Sequence, residues 1–198
     1  TSNNYRVTGK VGYSFGKGFH AEANYQFEKQ LSLNEQLYEE TSYFVRDQVN
    51  RFTSFVNGRA NYALPMGAIL RRGDRGLDVH NLRTQINYDN DLGPGRLLVL
   101  AGAEVREARS KSFNNGYFGY SVENGTSIPV NLSTQYTTYP SGSGRISSLA
   151  NMGISGHLER FRSFFANGSY QLLNRYVFTA SARMDQTNLF GVRTNQRS

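Results

Sequence analysis

The sequence predicts an all-β fold, specifically an antiparallel transmembrane β-barrel segment, and three observations predict it. Apolar and polar residues alternate with a period of two along several stretches, as in strands with one apolar and one polar face. These stretches reach the roughly 9–11 residues that a tilted membrane strand needs. Tight turns join them in pairs and long polar segments separate the pairs, an asymmetry typical of outer-membrane barrels.

The first predicted hairpin covers about residues 5–31. From Tyr5 to Phe15 the odd-numbered residues are apolar or Gly, and the even-numbered residues are mostly polar. The same alternation resumes at Phe19, after the turn 16–18, whose glycines supply the positive φ angles of tight hairpin turns. Aromatic rings cluster near both strand ends, as expected of two aromatic girdles.

Two further hairpins are predicted at about residues 79–110 and 161–187. The turn of the second lies in residues 91–95, and that of the third lies near Leu173-Asn174. In each hairpin, residues such as Ile86, Val99 and Phe178 occupy one face and mostly polar residues occupy the other, although Leu98 and Leu100 blur its polarity near the second turn. We therefore expect six wall strands.

Long extracellular loops are predicted at about residues 32–78, 111–160 and 188–198. The segment 51–63 also alternates, and we expect it to form a strand that stands within its loop. The alternative is that a further wall strand lies in residues 68–78. Since the smallest closed membrane barrels need eight strands, residues 1–198 are interpreted as a partial barrel domain.

The composition suits a barrel, with 13 Tyr, 13 Phe, 20 Gly and only 4 Pro. The net charge of +7 comes from Lys and Arg scattered between acids, which favours charges in a lumen and on wet loops and predicts no nucleic-acid partner. An anionic partner, such as lipid-A phosphates or an acidic substrate, is the alternative. The absence of Cys excludes disulfides and thiolate chemistry.

Residues 162–197, RSFFANGSYQLLNRYVFTASARMDQTNLFGVRTNQR, carry a family resemblance. They are similar to a mid-barrel signature of SusC/RagA-type TonB-dependent transporters of Bacteroidetes. That pattern contains an S-Y-F-A-N strand, an R-Y strand, S-x-R-x-D and N-L-F-G, and Phe164 replaces its commoner Tyr. Weaker similarities are the segment 64–70, where Ala68 departs from a family Gly, and Leu100-Ala101-Gly102-Ala103-Glu104.

The resemblance implies a 22-stranded barrel in the bacterial outer membrane, with a plug and a TonB-contacting segment outside these 198 residues. It also implies a SusD-like surface lipoprotein as a lid and contact with outer-membrane lipid and lipopolysaccharide. The implied function is TonB-dependent import of an oligosaccharide or oligopeptide, driven by the TonB complex. No cofactor is implied.

Five charged residues are predicted to face the lumen by alternation, because a charge on the lipid face is costly. They would contact the plug or line the solute path, and the alternative is a structural ladder of cross-strand ion pairs. These candidates are Arg83, Glu104, Arg106, Arg183 and Asp185.

Eight aromatic residues in the predicted loops form a second candidate set. They would stack on sugars or pack beneath the lid protein, since aromatics are enriched at interfaces, and the alternative is packing of loops on one another. These residues are Tyr38, Tyr43, Phe44, Tyr117, Phe118, Tyr120, Tyr136 and Tyr139.

The residues predict neither catalysis nor a metal site. His20, His80 and His157 lack the paired spacing of metal ligands, and no G-x-S-x-G nucleophile elbow occurs. We therefore expect no enzymatic activity. The rival hypothesis is a soluble or surface-attached all-β binding or adhesin module, which would pack its apolar faces together and protect its strand edges.

Overall fold

A computed structural model describes residues 1–188 of the chain. The long strands are β1 (Ser2–Phe15), β2 (Phe19–Tyr38), β5 (Ala68–Leu92), β6 (Gly95–Ser121), β10 (Gly153–Leu172) and β11 (Tyr176–Thr187). The short ones are β3 (Thr53–Val56), β4 (Arg59–Tyr62), β7 (Thr126–Ile128), β8 (Tyr136–Thr137) and β9 (Ser143–Gly144). The helices are α1 (Tyr43–Arg51) and α2 (Ser147–Ala150).

The fold is therefore all-β, and its main sheet has the strand order β1-β2-β5-β6-β10-β11, with β7 paired to β6. The turns inside its three hairpins contain two or three residues, a length that joins antiparallel strands. Within the described part of the chain, β1 and β11 are the outer strands of this order and the sheet does not close on itself. No helix among residues 1–188 is long and apolar enough to cross a membrane.

The turns show why these sequences reverse direction. Gly16 and Gly18 have φ of 58° and 84°, and Gly93 has φ of 61°, values that glycine adopts without steric penalty. Leu173 and Asn174 both have positive φ, 50° and 54°, as a two-residue type I′ turn requires.

The chain divides into two compact units. Among the described residues, unit 1 comprises residues 1–2, 31–75 and 111–155, and unit 2 comprises residues 3–30, 76–110 and 156–188. Unit 1 contains the hydrophobic core, whose buried members are Val45, Val49, Phe52, Leu64, Ile69, Phe118, Ile146 and Ala150.

Helix α1 shows how unit 1 builds this core. The Ser42 hydroxyl accepts a hydrogen bond from the Val45 backbone N–H, which caps the helix. Val45, Gln48 and Val49 are the buried residues of the helix, at the i, i+3 and i+4 spacing of one helical face. Helix α1 is therefore an amphipathic cover on the core.

Unit 2 has its apolar residues on one face of a sheet. The β10–β11 register pairs Phe164 with Met184, Tyr170 with Phe178 and Leu172 with Tyr176. On the other face Asn167 pairs with Ser181 and Ser169 with Thr179, while Phe165 pairs with Arg183 and Gln171 with Val177. One face of this hairpin is therefore apolar and the other is mainly polar.

The strands run beyond the predicted hairpins. Residues predicted as loop are strand in the structure at the end of β2, the start of β5, the end of β6 and the start of β10. The segment 51–63 contains a small hairpin, β3–β4, with a left-handed turn at Asn57 and Gly58, so the single loop strand expected there was wrong. Residues 68–78 belong to β5, and residues 189–198 of the third predicted loop lie outside the described residues.

Candidate functional site

Two arrangements in the structure are candidates for function. One is the polar face of unit 2, defined here by the side chains that contact Glu22, Glu28 and Phe165. The other is a cavity of about 330 Å³ within unit 1, called the arginine–amide pocket.

Glu22 on β2 is the centre of the first cluster on the polar face. Its carboxylate lies 2.7 Å from the Lys10 ammonium on β1 and accepts a hydrogen bond from the Gln85 amide on β5. The His20 ring lies 3.9 Å away and also contacts the Ser14 hydroxyl at 2.9 Å. Three neighbouring strands are thus joined through one carboxylate.

Glu28 repeats this arrangement further along β2. Its carboxylate accepts hydrogen bonds from Arg6 at 2.9 Å and Asn4 at 3.2 Å, both on β1. Arg106 on β6 lies within Coulombic reach of Glu28. The predicted candidate Arg106 therefore belongs to a cross-strand charge cluster.

Phe165 is the centre of the third cluster. The Arg83 guanidinium lies over its ring at 4.7 Å, and a Cβ at Gly102 would lie only 2.5 Å from Phe165 Cζ. Arg183 is opposite Phe165 in the strand register and forms hydrogen bonds of 2.9 and 3.0 Å to Asp185. The structure thus brings three of the five predicted charged candidates into contact on the polar face: Arg83 lies over the Phe165 ring, and Arg183 pairs with Asp185. Arg106 lies near Glu28 without a hydrogen bond or ion pair to any of residues 1–188.

Glu104, the fifth candidate, is half-buried on β6. It has no hydrogen bond or ion pair to any residue in the described range 1–188. The cross-strand pairs were predicted as an alternative role for the charged set. In the structure such pairs form through Glu22 and Glu28 and also as Asp89–Arg96 and Glu107–Arg160, all outside that set, whereas Arg183 and Asp185 pair along one strand.

The opposite face of unit 2 is exposed and apolar. Phe19 contacts Phe15 and Tyr88 with ring centroids 5.6 and 4.5 Å apart. Further along, the Tyr25 hydroxyl lies 2.8 Å from His80 Nδ1. Exposed apolar side chains on the alternate positions of this face include Tyr5, Val7, Val11, Tyr13, Leu82, Ile86, Val99, Val105, Phe164, Tyr176, Phe178 and Met184.

The predicted loop aromatics separate into different environments of unit 1. Phe118 is 1% exposed and belongs to the core, so its ring cannot contact a ligand or lid without unfolding. Tyr43 is 80% exposed and Tyr139 68% exposed. Tyr38, Tyr117, Phe118 and Tyr120 lie on β2 and β6, which corrects their assignment to loops.

Three members of this set pack within unit 1 from positions on β2, α1 and β8, and so not as loops on one another. Tyr38 and Phe44 have ring centroids 4.5 Å apart, and Tyr136 meets Phe52 edge-on at 6.2 Å. All three pack against the core cluster. Tyr117 and Tyr120 are half-buried.

The arginine–amide pocket is lined almost entirely by polar side chains. Strand β2 contributes Ser32, Asn34 and Gln36, and β5 contributes three arginines around Gly73. The remaining lining residues come from β6 and from the end of α2. The arginines and these remaining residues are Arg71, Arg72, Arg75, Ser112, Asn114, Asn115, Ala150 and Asn151.

Arg71 is held in place by four contacts. Its Nε donates to the Leu149 carbonyl at 2.9 Å, and its Nη1 donates to the Tyr38 hydroxyl at 3.3 Å. The guanidinium also lies over the rings of Tyr38 and Phe44, at 5.2 and 5.5 Å. Two of the predicted aromatics therefore position a pocket arginine, a role that the sequence did not indicate.

The other two arginines differ in their pairing. Arg72 forms ion pairs with Asp74 at 3.1 Å and Glu35 at 3.5 Å. The hydrogen bond that Arg72 donates to Asp74, followed by the charges of Asp74 and Glu35, raises the pKa of Arg72. Arg75 has no ion pair or hydrogen bond within residues 1–188, so its positive charge is uncompensated there.

At this pocket two glycines allow neighbouring residues to lie close to the strand backbone. A Cβ at Gly73 would lie 2.7 Å from the Asn114 side-chain oxygen, and one at Gly116 would lie 2.5 Å from the Ala150 Cα. Gly116 therefore permits α2 to lie against β6. Gly73 leaves space for the Asn114 amide.

The sequence did not predict the pocket, because residues 32–38, 68–78 and 111–121 were expected to be loops. One signal was present. The run Arg71-Arg72-Gly73-Asp74-Arg75 is the densest group of charges in its neighbourhood, and Ser32, Asn34 and Gln36 continue the alternation of β2.

The described residues contain no group of three or more His, Asp or Glu side chains that could hold a metal ion. In the comparisons with known proteins, neither a family model nor a curated protein matches the chain.

Proposed function

We propose that this chain forms part of the wall of an outer-membrane β-barrel that imports an oligosaccharide or oligopeptide by TonB-dependent active transport. The observation that carries the proposal is the chemistry of unit 2. An exposed apolar face lies opposite a face where Glu22 and Glu28 join strands through ion pairs.

A sheet with this chemistry is unusual for a protein in water. Soluble monomers rarely expose a contiguous apolar patch larger than a few hundred square ångströms, whereas Tyr13 and Phe178 are 70% and 62% exposed on this face. Lipid would cover the apolar face, while the charged face would line a wet lumen or contact a plug.

The open order of the sheet also supports a larger barrel. Among residues 1–188, β1 and β11 are the outer strands of the sheet, and a membrane sheet must close on itself because lipid cannot hydrogen-bond an exposed strand edge. Further strands outside this chain would supply that closure. The plug, the TonB-contacting segment and a SusD-like lid lipoprotein would likewise come from outside it.

The lack of Cys in this chain allows a direct test of the wall. Single cysteines at Val11 and Phe178 would report on the apolar face, and single cysteines at Lys10 and Thr179 would report on the polar face. Each is spin-labelled in the full protein in lipid vesicles, and collisions with oxygen and with a water-soluble nickel chelate are compared.

We expect labels at Val11 and Phe178 to collide with oxygen and to be protected from nickel. Labels at Lys10 and Thr179 should show the opposite preference. Equal access of nickel to all four positions, together with a monodisperse protein in detergent-free buffer, would instead support the soluble binding module.

Transport is tested separately in cells that carry the full protein. Uptake of a fluorescent oligosaccharide or oligopeptide should require TonB and an energised inner membrane. Uptake that continues in a strain lacking TonB would reject active import while leaving the barrel wall intact.

A further inference from the structure

We infer that the arginine–amide pocket of unit 1 binds an acidic oligosaccharide, with Arg71 and Arg75 receiving a carboxylate of an acidic sugar. This inference rests on the proposed function and narrows its substrate class. Three observations support this inference: the chemistry of the pocket lining, the ion pairing of the arginines and the preorganisation of Arg71.

The lining has more cationic donors than anionic partners. Three arginines line the cavity, and none of the other described lining residues carries a carboxylate. Asp74 and Glu35, which lie beside the arginines, are both engaged by Arg72. Arg71 and Arg75 therefore leave a local positive charge that a ligand anion would neutralise through charge-assisted hydrogen bonds.

Arg71 is preorganised for such a ligand. The Leu149 carbonyl and the Tyr38 hydroxyl accept hydrogen bonds from its Nε and Nη1, and its guanidinium lies over the rings of Tyr38 and Phe44. Its Nη2 has no hydrogen-bond partner among residues 1–188 and is available to a ligand. A fixed guanidinium loses little side-chain entropy when a ligand binds, so more of the contact free energy is available for affinity.

The rest of the lining favours a sugar over a peptide. Amides on Asn34, Gln36 and Asn114 offer both donors and acceptors, as the hydroxyl groups of a sugar ring require. Apolar lining is limited to Ala150 and the glycine, whereas a peptide would need apolar surface for its side chains. A cavity of about 330 Å³ is at the small end of ligand sites, which suits a short part of a chain.

The test measures binding by calorimetry on the full detergent-solubilised protein. The probes are a trimer of galacturonic acid, the neutral galactose trimer and a tri-glutamate peptide. The variants are Arg75→Gln, Arg71→Gln and Arg75→Lys. Arg59→Gln is the matched control because Arg59 is an exposed arginine on the β3–β4 hairpin, away from the pocket lining.

We expect the galacturonic acid trimer to bind more tightly than the neutral trimer and the peptide. Arg75→Gln and Arg71→Gln should each weaken it about tenfold or more, since each removes a charge-assisted hydrogen bond. Arg75→Lys should recover part of the affinity and Arg59→Gln should have no effect. Gly73→Ala should also weaken binding, because the added methyl group displaces the Asn114 amide.

Equal affinity for the acidic and neutral trimers would overturn the inference, as would tighter binding of the peptide or an unchanged affinity in both Gln variants. None of these results would contradict the proposed barrel wall or TonB-dependent import, because spin-label accessibility and TonB dependence are measured without this ligand. Conversely, tight acidic-sugar binding by a protein whose labels all meet nickel would retain the pocket and reject the transporter.

Discussion

The two units of this chain differ in where some of their large apolar residues lie. In unit 1, Phe118, Leu64 and Ile69 are buried in a cluster with α1. In unit 2, Phe178, Tyr13 and Val11 are exposed on a sheet whose other face carries ion pairs. Unit 1 supplies an apolar environment for these residues itself, whereas in the proposed membrane wall lipid would supply that environment for unit 2.

We expect the largest difference in folding free energy between variants of two phenylalanines, one in each unit. Phe118→Ala removes a ring that is 1% exposed, and a buried Phe→Ala change costs about 3–5 kcal/mol of folding free energy. Phe178→Ala removes a ring that is 62% exposed and should cost far less. Denaturant unfolding in detergent micelles measures both, and equal losses would contradict the division between the units.

An arginine added to each face of β11 in turn tests whether lipid covers the apolar face. Ala180→Arg adds a charge to the apolar face, and an arginine near the middle of a membrane barrel costs about 2–4 kcal/mol. Ser181→Arg places the same charge one residue away on the polar face and should be tolerated. Folding into phospholipid vesicles is measured for both variants, and equal tolerance would argue that lipid does not cover the apolar face.

Gly102 extends the comparison to packing on the polar face of unit 2, and Gly9, on the apolar face of β1, provides the control. A Cβ at Gly102 would lie 2.5 Å from Phe165 Cζ and 2.6 Å from the Thr84 carbonyl oxygen. Gly102→Ala should therefore destabilise the protein by about 1–3 kcal/mol, as overpacking does. Gly9→Ala is the control because a Cβ at Gly9 would meet nothing within 4 Å. Similar unfolding midpoints for both variants would show that the Phe165 cluster is not tightly packed.

The smallest expected effect concerns the helix of unit 1. Ser42→Ala removes the side chain that accepts from the Val45 N–H, and loss of such a cap typically costs about 1 kcal/mol. Thr41→Ala, next to it and outside the cap, should change little. The two variants are compared by the protease susceptibility of residues 43–51. Equal rates of cleavage would show that the Ser42 cap does not stabilise α1.

Local sequence was enough to specify the hairpins of unit 2. Alternation over residues such as Val7, Thr8, Lys10 and Val11 dictates two unlike faces, because successive strand side chains point to opposite sides. Glycines in the first two turns indicated where those strands reverse, whereas the third turn forms at Leu173 and Asn174 without a glycine. The turn signal Asn57-Gly58 of the small hairpin was also present in the sequence, although the alternation on both sides of it favoured one continuous strand.

Which residues meet across strands followed from the tertiary fold alone. The contact between Arg83 and Phe165 joins residues 82 positions apart, and the hydrogen bond from Arg71 to Leu149 joins residues 78 positions apart. Both contacts, and the one between Arg71 and Tyr38, depend on strand register and on the packing of distant segments. A period of two specifies a face, but it carries no information about which strand is the neighbour or how far one strand is shifted against another. The arginine–amide pocket likewise arose from the packing of α1 and α2 on a core that local alternation does not encode.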